Sequence, residues 1–280
     1  MNKNYLGCHI SLKSPDFFLG SVKEAISLNA NCFMFYNGSP RKYLKPNPSK
    51  LKIKEGYELI KKSNINKNKI VIHASYLINI ANCNNYAIYN NSLKLLKKEI
   101  EGAKKFHINT IVLHPGTCAT ERNKKNSIQL LIKTINNLLD NETSNIKLAL
   151  ETMSGKGGEL GSKFEELKEI IDGIHKKNNI GICLDTCHIH DAGYDISDAN
   201  KIIDKFDKII GLNKLFVIHI NDSKNQCGSH KDRHENIGLG KIGFNAIYKF
   251  VNNKKLLDIP KILETPPIRH KEEILALTKK

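Results

Sequence analysis

The sequence predicts an α/β fold, a single-domain (β/α)8 TIM barrel, on three observations. Eight short apolar runs alternate with helix-like stretches from one end of the chain to the other. The 280 residues suit eight such units, because a barrel of this kind takes about 250. No stretch rich in Gly, Ser or Pro divides the chain, so residues 1–280 are expected to form one domain, with the active site at the C-terminal rim of the strands. An open doubly wound sheet is the fallback, since alternation alone does not prove closure.

The strands are expected at residues 6–10 (LGCHI), 32–36 (CFMFY), 70–74 (IVIHA), 110–114 (TIVLH), 147–151 (KLALE), 180–185 (IGICLD), 215–221 (LFVIHIN) and 261–264 (KILE). Each is a near-continuous apolar run, as parallel strands covered on both faces require. Helices are expected between them, where apolar residues recur at helical spacing: 17–28, 50–62 after a proline-rich entry, 89–106, 127–139, 164–175, 199–210 and 244–251, with 272–277 closing the chain. The segment GLGKIG at residues 238–243 scans as Gly-x-Gly-x-x-Gly. It lies late and does not follow the first strand, so it reads as a glycine-rich turn, with nucleotide binding the weaker alternative.

Forty per cent hydrophobic and 26% charged residues place the chain among globular proteins. No apolar run approaches a membrane span, and the first residues are polar. These features point to a cytoplasmic protein in a bacterium, or one of the nucleus or an organelle in a eukaryote, with no membrane partner. The seven cysteines are odd in number and none forms Cys-x-x-Cys, which reads as reduced thiols in a reducing compartment. The net charge of +16 admits two explanations. One is a polyanionic partner such as nucleic acid. The other is an AT-rich coding composition, visible in the abundance of Lys, Asn and Ile together.

The strand ends carry the chemistry. The third ends on His73, the fourth on His114, the fifth on Glu151, the sixth on Asp185 with His188 just beyond, the seventh near His219 and the eighth on Glu264. The loop after the seventh strand adds Asp232 and His234. In a barrel these five histidines and four carboxylates share the C-terminal rim, where sites of this fold lie. Each alone reads as an ordinary hydrogen-bonded residue. Together, four carboxylates on one rim need countercharge, and Lys and Arg are nearly absent from the strand ends. Divalent ions supply the charge and account for the imidazoles. Nine ligands suit two ions sharing a carboxylate with a third alongside. The donor set favours zinc, with manganese or iron as alternatives. Cys187 could be a ligand, but beside so much imidazole and carboxylate a packing role is expected. Paired zinc ions suit displacement at phosphorus, and with a charge of +16 this points to hydrolysis of a phosphodiester in nucleic acid.

Several motifs in order then resemble one family over nearly the whole chain: GCHIS at 7–11, HASYLIN at 73–79, LHPG at 113–116, LDTCH at 184–188 with AGYD at 192–195, HINDS at 219–223, DRHE at 232–235 and LET at 263–265. The chain resembles the endonuclease IV family of apurinic/apyrimidinic (AP) endonucleases, DNA-repair enzymes with three zinc ions on a (β/α)8 barrel. By position, the resemblance implies that His73 and His114 hold one zinc and that Glu151 bridges to a second. Asp185, His219 and Glu264 complete that second site, and His188, Asp232 and His234 hold the third. It further implies cleavage of duplex DNA 5′ to an abasic site, leaving a 3′-hydroxyl and a 5′-deoxyribose phosphate, trimming of blocked 3′ ends, and action as a monomer. Glu151 would position the ions and the attacking hydroxide. Tyr76 and Leu77 match positions that wedge into DNA, Arg41 the residue inserted from the second loop, and His9 a histidine behind the ligands. Without the resemblance, Tyr76 and Leu77 read as loop hydrophobes folded onto the rim. The alternative is a metal-dependent sugar isomerase or epimerase on a related barrel, which normally uses fewer ions; a third reading is a metal-stabilised nucleic-acid-binding protein without catalysis.

Overall fold

The computed structural model describes residues 4–39, 47–118 and 120–279. Arg41, the expected inserted residue, lies outside the described residues.

Eight parallel strands close into a barrel: β1 (Leu6–His9), β2 (Cys32–Tyr36), β3 (Ile70–His73), β4 (Thr110–Leu113), β5 (Lys147–Glu151), β6 (Ile180–Asp185), β7 (Leu215–Ile220) and β10 (Lys261–Leu263). They are neighbours in chain order, and β10 returns to pair with β1 in parallel register, Gly7 opposite Ile262. The barrel is therefore closed, and the open sheet is excluded.

The pleat sorts the side chains. Outward residues such as Phe33, Phe35, Ile72, Leu148 and Ile218 join the large core that includes helix residues Phe18, Leu95 and Phe206. Inward residues Met34, Val71, Val112, Ala149, Cys183, Val217 and Ile262 form a separate small cluster inside the barrel. Successive residues of a strand face opposite ways, so the next inward position lies two residues on. That position is Tyr36, His73, His114, Glu151, Asp185, His219 and Glu264 respectively, and His9 on β1, where Gly7 sits in register with Cys32 and Ile262. An apolar plug fills the barrel, and the layer above it is polar on every strand.

The helices α1 (Phe17–Ser27), α2 (Ile53–Lys61), α3 (Tyr86–Lys105), α4 (Lys124–Asp140), α5 (Phe164–Asp172), α7 (Ala199–Ile209), α8 (Phe244–Val251) and α9 (His270–Thr278) occur where periodicity places them. α3 starts a turn earlier than expected because Asn85 caps it, accepting from Ile88 N at 3.0 Å. Three elements depart from the sequence expectation. A short helix α6 (Thr186–Asp191) leaves directly from β6, and β8 (Asp222–Ser223) pairs antiparallel with β9 (His234–Glu235) in the loop after β7. None of the described helices is long and apolar enough to cross a membrane.

The glycine-rich turn proves to be an internal clamp. The backbone N–H groups of Gly238, Gly240, Ile242 and Gly243 all donate to the Asp222 carboxylate, the shortest at 2.9 Å. Asp222 is fully buried, and a Cβ at residue 240 would meet its Oδ1 at 2.4 Å. Donors that could have held a phosphate already hold a carboxylate. The nucleotide alternative therefore falls, and the clamp fixes the loop carrying Asp232 and His234.

Candidate metal centre

The polar layer opens into a cavity of about 480 Å³ whose lining includes His9, Tyr36, His73, His114, Glu151, His188, Asp232, His234 and Glu264. Lys13 is the sole Lys or Arg among the described lining residues.

Glu151 stands at the centre. Its Oε2 lies 3.1 Å from His73 Nε2 and 3.2 Å from His114 Nε2. Its Oε1 lies 3.0 Å from His219 Nδ1. The two oxygens of one carboxylate thus face two different groups of donors. His219 Nδ1 is also 2.9 Å from Glu264 Oε2 and 3.7 Å from Asp185 Oδ2. On the far side, Asp232 Oδ1 lies 3.1 Å from His188 Nε2 and 3.4 Å from His234 Nε2. The donor atoms of His73, His114 and Glu151 form one compact group, and those of Glu151, Asp185, His219 and Glu264 form another. Seven of the nine residues expected at metal sites line this cavity, while Asp185 and His219 are fully buried and grouped with Glu151 and Glu264.

Fixed tautomers make these groups suited to metal. His73 Nδ1–H donates to Ala74 O at 2.7 Å, His188 Nδ1–H to Thr152 O at 2.8 Å, and His234 Nδ1–H to Glu264 O at 3.2 Å. Each ring spends one nitrogen on a backbone carbonyl and turns Nε2 towards carboxylate oxygens. Without a proton or a cation between them, lone pairs would face lone pairs. A backbone-anchored imidazole presenting its other nitrogen to carboxylates is the usual arrangement around a divalent ion. The donors present fit such ions.

The charges agree. Burial pushes the Glu151 carboxyl up, but His219 and His114 outweigh it and hold it well below the usual carboxylate range. Burial has the same sense at Glu264, where His219 prevails, and at Asp232, where His188 prevails; both are held low. Burial pulls His188 down, yet Asp185, Asp232 and Glu151 raise it well above the ordinary imidazole value. His219 is also raised, against burial, by Cys183, Glu264 and Glu151. The carboxylates demand cations, and protons on these imidazoles take that place when no metal does.

His9 lies in the same layer, its ring 4.8 Å from that of Tyr36. Its buried Nε2 has no hydrogen-bond partner among the described residues, and burial pulls its pKa down to about 4. Among the described residues it is in none of the donor groups. Tyr76 is 42% exposed just beyond β3, whereas Leu77 is half-buried and packed on the main core. Leu77 is thus folded onto the core, while Tyr76 faces out. Cys187 is buried, as a packing role requires, and its Sγ also comes within 4.8 Å of donor atoms of Asp232 and His234.

Sequence reasoning missed the residues that hold the ligands. Asn221 Nδ2 donates to Asp185 Oδ2 at 2.7 Å while its Oδ1 accepts from Glu264 N at 3.1 Å, joining two ligand strands. Thr152 serves two more: its hydroxyl accepts from Asp185 N, and its carbonyl anchors His188. The signal for Asn221 was its place two residues after His219 on a strand end.

Comparison with known proteins shows what the chain is similar to in sequence and fold. A family model described as a xylose isomerase-like TIM barrel matches residues 22–280. A protein of Acholeplasma laidlawii (strain PG-8A) named "Probable endonuclease 4" is 45% identical over 272 residues, covering 95% of this chain and 90% of that one. The chain belongs to the endonuclease IV family. The crystal structure of endonuclease IV from Thermus thermophilus superposes with a TM-score of 0.83 at 28% identity, over 98% of this chain and 97% of that one. A D-tagatose 3-epimerase-like protein, at 24% identity and a TM-score of 0.71 over 96% of this chain and 95% of that one, shares the barrel. Membership in the endonuclease IV family thus rests on sequence and fold together, whereas the likeness to the epimerase-like protein is one of fold.

Proposed function

We propose that the chain is a zinc-dependent AP endonuclease that hydrolyses the phosphodiester 5′ to an abasic site in duplex DNA. The products are a 3′-hydroxyl and a 5′-deoxyribose phosphate, and the same cavity trims blocked 3′ ends. The observation that carries this is Glu151, with one oxygen towards His73 and His114 and the other towards His219, in a chain of the endonuclease IV family.

His73, His114 and Glu151 would hold one zinc; Glu151, Asp185, His219 and Glu264 a second; His188, Asp232 and His234 a third. When bound, zinc supplies water of lowered pKa and positive charge for an in-line displacement at phosphorus. The chain itself does the rest. Glu151 sets the spacing between the first two sites. The backbone carbonyls of Ala74, Thr152 and Glu264 hold His73, His188 and His234 in the tautomer that presents Nε2. The barrel plug of Met34, Val71, Val112 and Val217 closes the floor, so substrate and water enter from the rim alone. A monomer suffices, because one chain supplies all nine ligands.

Tyr76, exposed just beyond β3, would meet DNA lying across the rim, with Leu77 packed on the core behind it. Replacing both with Ala is expected to reduce the preference for abasic over intact duplex roughly tenfold, about 1.4 kcal/mol of lost wedge contact. The zinc content should not change. Competition binding read beside elemental analysis checks this, and loss of zinc would show that the loop supports the metals instead.

The deciding experiment pairs elemental analysis with cleavage of a duplex carrying a single abasic site. About three zinc ions per chain with a nick 5′ to the site are expected. Three ions with an intact duplex would sink the proposal. One ion per barrel with turnover of a ketose or aldose would favour the sugar isomerase or epimerase reading.

A further inference from the structure

Asp191 takes no part in the ligand sets above, yet it is fully buried. It is the last residue of α6, the short helix that leaves β6. No Lys, Arg or His side chain hydrogen-bonds to its carboxylate among the described residues. Instead, Oδ1 accepts from Ser223 Oγ at 2.7 Å, and Oδ2 accepts from Asn225 Nδ2 at 3.3 Å and from the backbone N–H of Asp232 at 2.8 Å. The Asp191 carbonyl accepts from His230 N at 2.9 Å. One buried residue therefore grips the loop after β7 at four places, Ser223, Asn225, His230 and Asp232, the last through the main chain of a proposed zinc ligand itself.

That grip acts where the backbone needs it. Asp232 has φ +57° and His230 has φ +54°, left-handed conformations that non-glycine residues adopt when surrounding bonds impose them. Holding the Asp232 N–H fixes the direction of its Cα–Cβ bond, and with it the carboxylate 3.1 Å from His188 Nε2. Asp185, His188 and Asp191 follow one another at intervals of three along α6 and its cap. Side chains so spaced lie on neighbouring faces of a helix. Asp185 caps the helix, accepting from His188 N at 2.9 Å. His188 is a ligand itself, and Asp191 reaches the opposite ligand.

We infer that Asp191 is a positioning residue dedicated to the ion held by His188, Asp232 and His234, and that it leaves the other two sites untouched. This rests on the three-zinc reading above. Through Asp191, α6 carries both halves of that site: His188 directly, and Asp232 by way of its backbone.

Zinc titration of the chelated, refilled full-length chain tests it, with Asp191→Ala, Asp191→Asn, Asp232→Ala and the double variant Asp191→Ala/Asp232→Ala. Removing an outer partner of a metal ligand typically weakens binding about 10–100-fold. D191A should therefore weaken one ion by about that factor and leave the other two at wild-type affinity, and excess zinc should refill the weakened site. D232A should affect the same ion, and adding D191A to it should change nothing further. D191N keeps an acceptor oxygen for the Asp232 N–H and can donate its amide to Ser223 Oγ, so it should stay within a few-fold of wild type.

D191A with three wild-type affinities overturns the inference. So does weakening spread over all three ions, or a double variant worse than D232A alone. Should D191A fail to fold, D191N decides: a few-fold weakening confined to the ion that D232A removes supports the role, and no weakening there, or a shift elsewhere, overturns it. The number of ions on the wild-type chain tests the three-zinc reading separately, because agreement between D191A and D232A does not depend on that number.

Discussion

Replacing Glu151 with Gln is expected to slow nicking of an abasic duplex by at least about 10²-fold, the scale on which losing one preorganised electrostatic stabiliser starts. The substitution preserves shape and turns one oxygen into an amide nitrogen, which donates and cannot ligate. In this chain neither oxygen is spare. Oε2 faces His73 and His114, and Oε1 faces His219. Whichever way the amide turns, one of the first two sites loses its shared ligand, so at least one ion should fall away from E151Q. Binding to DNA should survive, since the +16 charge and the rim loops are untouched. Single-turnover cleavage, elemental analysis and a binding isotherm on one preparation separate the possibilities. A variant that cuts at the wild-type rate with full zinc would remove the bridging role. Cutting by neither wild type nor variant, with binding intact in both, would favour a nucleic-acid-binding protein without catalysis.

The proposed ligands could be read from the sequence because of the pleat. In a parallel barrel a strand is buried on both faces, so it reads as an apolar run, and a polar residue at its end is conspicuous. Val71 to His73, Val112 to His114, Ala149 to Glu151 and Ile262 to Glu264 are each one inward step along a strand. What could not be read is what holds the ligands in place, because its bonds join residues distant in the chain. Asp222 clamps amides 16 to 21 positions away. Asp191 holds a backbone N–H 41 positions on. Neither partner leaves a periodic trace. The α6 helix was missed for a related reason: six residues, TCHIHD, all buried, show no apolar stripe. Tyr76 and Leu77 were paired by motif alone, and packing separates them: Tyr76 faces out, while Leu77 is drawn onto the core.

Removing the metals should destabilise the protein in a pH-dependent way whose sign follows from the site. On the zinc reading proposed above, each ion would add roughly 3–4 kcal/mol at free zinc 100–1,000 times its Kd, so chelation at neutral pH should lower Tm by at least about 10 °C. The metal-free cluster is held by protons on imidazoles instead. His188 and His219 have raised pKa values in the folded chain. Their contribution is fully present below the unfolded value of about 6.5 and is lost as pH rises through the folded value. Glu151, Asp232 and Glu264 are depressed. Their contribution is present above the unfolded range of about 4 and is lost as pH falls through the folded values. The chelated protein should thus be most stable in mild acid and weaken towards alkaline pH. The loaded protein should behave oppositely over the same range, because zinc needs those imidazoles deprotonated and competes better as protons become scarce. The gap in Tm between loaded and chelated protein is therefore expected to widen from about pH 6 to about pH 8. Refilling at neutral pH should release protons from His188 and His219. Calorimetric titration in buffers of different ionisation enthalpy counts those protons. A gap that stays constant with pH, or refilling that releases none, would mean that the imidazoles facing Glu151 and Asp232 do not carry the charge balance of the cavity.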